Sequence, residues 1–143
     1  MKKSTFVSVG VCLLFALSAF AANSQEMRQK VEFPEMMKEH MLGNMRDHLL
    51  ALHEIQAALA KGDFDKAGDI AEQRIGMSSL ASHNAAHMAP YMPKAMQDIG
   101  TEMHHSASRF AITTREGDML KALDGLSKVT EQCAACHASY RVN

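Results

Sequence analysis

The chain has 143 residues, 47% of them hydrophobic, with 12 Met, no Trp and a formal net charge of −1. That length fits one domain with one core. The balanced charge provides no basic patch for nucleic acid, and the scarcity of aromatics and β-branched runs favours helices over sheets.

Lys2 and Lys3, an apolar run over residues 6–20, and Ala19-Phe20-Ala21 make the pattern of a secretory signal peptide. Cleavage is expected after Ala21 or Ala22, leaving a signal over residues 1–21 and a single domain over 22–143. The apolar run, about 15 residues, is shorter than the roughly 20 that span a bilayer. The mature chain is therefore expected in the periplasm, without a membrane segment. Cleavage also removes Cys12, takes the net charge from −1 to −3 and leaves Cys133 and Cys136 as the cysteines.

Residues 31–34 read as a short extended lead-in. Pro34 suits the first position of a helix. From Glu35, Met37, Met41, Met45, His48, Leu52, Ile55 and Leu59 recur every three or four residues, a helical stripe facing a core. Gly62 should end that helix and Asp63 cap the next, which continues through Ala67, Ile70, Ala71, Arg74, Ile75 and Met77. Pro90 and Pro93 predict a loop or short broken helix between residues 80 and 93. A third helix is expected from Pro93, with Met96, Ile99, Met103, Ala107, Phe110 and Thr114 inward, ending near Gly117. Asp118 should cap a fourth, with Leu120, Leu123, Leu126, Val129 or Thr130, Cys133, His137 and Tyr140 on its stripe. No strand is evident. The expectation is an all-α, up-down-up-down four-helix bundle.

The chemistry lies at the end of the fourth helix. Cys133-Ala134-Ala135-Cys136-His137 has the C-x-x-C-H spacing of c-type haem attachment. Residues three and four apart share a helix face, so both thiols can reach one haem edge and His137 can come under the iron. A structural disulfide is the plainer reading. A thioredoxin-like pair belongs beside a βαβ pattern, which is absent, and a structural zinc site usually has four ligands with a second paired cluster. The adjacent His, the export signal and the helical pattern favour one covalent haem c.

The run from Cys133 to Arg141 resembles the end of class II c-type cytochromes, the cytochrome c′ family, as does the Lys61-Gly62 end of the first helix. The resemblance implies thioethers at Cys133 and Cys136, iron at His137, and Arg141 near the haem. Members differ in the sixth iron position, which is either a Met on the first helix or an open site. Counted back from Lys61-Gly62 that position falls near Arg46, which cannot ligate iron here. Met45 is one residue away on the core stripe and is the candidate, with Met41 and His48 as alternatives. Core packing is the competing role for each Met.

His83, His87, Met88, Met92, Met96, Met103, His104 and His105 crowd the middle of the chain. Imidazole and thioether suit copper, and His83 and His87 would share a helix face. No tight metal pattern is present, so packing or surface roles are the first expectation. His104 and His105 cannot both face inward. No nucleophile–base set appears, so no enzymatic turnover is expected. The sequence thus points to electron transfer with periplasmic redox proteins. The alternatives are a five-coordinate haem that binds nitric oxide or carbon monoxide, and metal handling by the His/Met cluster. Members of the resembling family often form antiparallel dimers through the first helix, which leaves a homodimer open.

Overall fold

The structure is a computed structural model that describes residues 26–142. The expected signal peptide and its cleavage points lie outside the described residues. Pro34 precedes helix α1 (Glu35–Leu59), where its missing N–H costs no intrahelical bond. Met41, His48, Ala51, Ile55, Ala58 and Leu59 are buried along α1. The predicted stripe is therefore present, with two alanines added. Gly62 ends it in the left-handed region, at a φ of +72° that a residue without Cβ adopts freely. Asp63 then accepts the Lys66 amide and caps α2 (Phe64–Arg74). This helix stops at Arg74, so Met77 does not continue it and sits in a 3₁₀ turn.

The region before Pro93 is broken as its prolines dictate. It holds a one-turn helix α3 (Ala85–Met88) followed by a 3₁₀ turn over Ala89–Tyr91. His83 precedes α3 and is buried, whereas His87 lies within it and is exposed. The two therefore do not share a helix face, contrary to the expectation. Helix α4 (Lys94–Thr113) follows Pro93, and Gly117 at φ +66° closes the turn after it. Asp118 accepts the amides of Leu120 and Lys121 and caps α5 (Met119–Ser139).

The fold is all-α in character. Among the described residues α1 packs on α2, α2 on α4, and α4 on α5. One core draws on all four long helices, from Ile55 through Ala71 and Phe110 to Val129. The α5 stripe departs from expectation near its start. Leu120 is 78% exposed and Leu123 49%, while Ala122, Leu126 and Val129 are buried. Small residues face α4 there: a Cβ on Gly125 would stand 3.3 Å from the Phe110 ring. Close approach of the helices turns the two leucines outward.

A strand pair was not expected. Strand β1 (Gln29–Val31) runs parallel to β2 (Tyr140–Val142), with Lys30 opposite Arg141. Three-residue strands are too short to show an alternation in sequence. This pair ties the lead-in of α1 to the residues that follow α5. No helix among the described residues is long and apolar enough to cross a membrane.

Candidate cofactor site

Helix α5 carries Cys133, Cys136 and His137 in its last two turns. Both thiols are free and half-buried, and His137 is exposed. Cys133 packs against the main core and donates to the Val129 carbonyl at 3.4 Å. Cys136 packs against a second apolar cluster built from Val31, Phe33, Met41, Met88 and Met96, flanked by Met37, Met45 and Met92. The two sulfurs thus stand at the border between two apolar bodies. Burial pushes both thiols up from their ordinary pKa, and the neighbouring Cys133 adds to the effect at Cys136. A pair built for disulfide exchange needs a lowered thiol pKa instead.

The strand pair completes this end of the molecule. Val31 of β1 is buried in the Met-rich cluster, and Tyr140 and Val142 of β2 pack against it. Arg141 of β2 has its Nε buried with no hydrogen-bond partner. A buried donor left unpaired is costly, and an anionic group beside it would satisfy it. Two free sulfurs one turn apart, an imidazole one turn from the first, an apolar thioether-rich wall and an unpaired Arg141 Nε fit a covalently attached haem.

Among the sequence-level ligand candidates, Met41 and Met45 belong to the same cluster as Cys136. Arg46 is exposed. His48 is buried and meets His83 and His104, with ring centroids 4.8 and 6.3 Å away. The His/Met group read from the sequence therefore divides in space. Met88, Met92 and Met96 go to the Cys136 cluster, Met103 goes to the main core, and His83 and His104 join His48. His104 is buried and His105 exposed, as neighbours about 100° apart on a helix require.

Burial lowers the pKa of all three clustered imidazoles, to about 4 at His48, where the charges of His83 and His104 add to it. Among the described residues no three His, Cys, Asp or Glu side chains already surround a common metal position. Surface grooves of about 420 and 260 Å³ lie along α2, the end of α4 and the turn after it, and include no residue of the Cys-His motif.

Sequence reading missed the Val31, Phe33 and Val142 wall, which forms only when the segment before α1 meets the one after α5. It also missed the joining of His48 to His83, although His48 on the α1 stripe and the inward or outward choice at His104 were available signals. Comparison with protein-family models, curated proteins and solved structures finds no match to this chain.

Proposed function

We propose that this chain is an exported c-type cytochrome that carries single electrons between redox proteins of the periplasm. In this reading α1, α2, α4 and α5 form an up-down-up-down bundle of the cytochrome c′ kind. The observation that carries the reading is a Cys-Ala-Ala-Cys-His helix end set against an apolar, Met-lined cluster that contains Met45. A haem c bound there supplies a one-electron ferric–ferrous couple.

Each residue has a distinct task. Cys133 and Cys136 would hold the group covalently to α5 and fix its orientation. His137 would supply an imidazole ligand to the iron. Met45 would supply a thioether, a ligand that raises the reduction potential, and Met41 of the same cluster is the alternative. Met88, Met96 and Phe33 exclude water from this wall, so that the charge change on electron transfer is met by fixed surroundings. Arg141 would offer its unpaired Nε–H to an acidic substituent of the group.

The test is direct. Protein exported from a host that makes c-type cytochromes should keep its pigment after denaturation and acid–acetone extraction. The Cys133→Ser, Cys136→Ser double variant should lose all of it. Wild-type polypeptide recovered at its bare mass, with no tetrapyrrole, overturns the reading.

A further inference from the structure

The imidazole cluster has no part in the reading above. His48 comes from α1, His83 from the connection after α2, and His104 from α4. Their rings sit 4.8, 5.5 and 6.3 Å apart, centroid to centroid. They are only 6, 7 and 8% exposed.

Their protons can be assigned. The Nδ1 of His104 faces the Ile75 carbonyl, which can only accept, so Nδ1 carries the proton and Nε2 the lone pair. The Ser79 hydroxyl donates to the Gly76 carbonyl at 2.7 Å. It therefore accepts from the Nδ1 of His83, 3.2 Å away, and again Nε2 is left with the lone pair. The backbone of Arg74 also lies against the His83 ring, and that of Gly76 against the His104 ring. The Nε2 of His48 is buried with no partner at all. Tying Nδ1 to a carbonyl or hydroxyl while Nε2 stays free is how a protein presents imidazole to a metal. The unpaired, buried nitrogen of His48 is otherwise costly.

The spacing agrees. With bonds of about 2.0–2.1 Å, imidazoles around one tetrahedral ion have centroids roughly 5 Å apart. The nitrogens do not converge in this structure. Closing the site requires ring rotation, mostly across the 6.3 Å His48–His104 gap. The surroundings hold the three elements in place. Asn44 of α1 donates to the His83 carbonyl at 3.0 Å. Asp47, next to His48, is engaged by Arg74, so its carboxylate is already paired.

We propose that His48, His83 and His104 bind one divalent cation of the zinc class through their Nε2 atoms, with a fourth position left open. The ion would fasten the α2–α4 connection to α1, independently of the cofactor on α5.

The probe is Zn²⁺ alone, added to the pigment-bearing protein by equilibrium dialysis, with zinc and iron measured together. One zinc per chain is expected at micromolar metal. Substitution of His83→Gln, which lies outside the long helices, should weaken uptake at least tenfold, and so should His104→Gln. Both variants should keep the iron content and visible spectrum of wild type. Co²⁺ in place of zinc should give the visible bands of a tetrahedral nitrogen site, and these should be absent from both variants. Absence of stoichiometric zinc in the wild type overturns the proposal. So does uptake that survives in both variants, or uptake that disappears with a His137 substitution.

Discussion

Burial holds the His48 imidazole neutral down to about pH 4, where an unfolded chain binds a proton near 6.5. Desolvation is the main cause, followed by the charges of His83 and His104. Arg74 adds to the lowering and Asp47 opposes it. Between pH 6.5 and 4 the unfolded chain takes up a proton that the folded chain refuses. Stability is therefore fully present above pH 6.5 and lost as pH falls through that window. His83 and His104 shift the same way. For His48 the expected loss between pH 7 and 4 is on the order of 3 kcal/mol, read from urea melts at successive pH values without added metal. A His48→Phe variant should flatten the profile; a profile as steep as wild type would place the effect elsewhere. On the proposed function, the sixth iron ligand is a second residue-scale question. Met45→Ala should convert a low-spin ferric spectrum with a thioether-to-iron charge-transfer band into a high-spin one. If the band persists, Met45 is not the ligand, and Met41→Ala is the variant that should remove it.

The close approach of α2 to α4 rests on Gly68. A Cβ there would collide with the Thr114 hydroxyl and reach 3.0 Å from the Ala111 carbonyl, while Thr114 itself donates to that carbonyl. Gly68→Ala should cost about 1–2 kcal/mol, because the overpacking outweighs the helix propensity that Ala brings. Chemical denaturation measures this, and a variant as stable as wild type would show that the two helices can separate freely. The helix ends were legible because the chemistry that sets them is local. Pro34, Gly62, Asp63, Pro93, Gly117 and Asp118 act within a few residues of their own position. The Cys-His motif was legible for the same reason. Leu120 and Leu123 were misread because the inward face of α5 is chosen by its partner, through Gly125 against Phe110. Arg74 lay on an apolar stripe without explanation until α1 supplied Asp47 and Glu54 as its partners. The meeting of His48, His83 and His104 joins three separate segments, and no spacing within any one of them records it.

Over the whole molecule, two apolar bodies share α5. The main core belongs to the four long helices, and the Met-rich cluster depends on the pairing of β1 with β2. Deleting residues 140–143 should leave the main core folded, with helical content nearly unchanged. It should also expose Val31 and raise hydrogen exchange at residues 29–33 by at least tenfold. Unchanged exchange there would show that the lead-in stays docked without its partner strand. The pairing joins segments near opposite ends of the described chain, which gives it a large loop-closure entropy. It can zip only after the polypeptide beyond the Cys-His motif has arrived and the helices have brought both tails into range. Until then the cluster around Cys136 lacks the wall that Val31, Tyr140 and Val142 supply. If the chain carries the proposed haem, thioether formation would be easiest in this interval, before the paired strands cover the thiols.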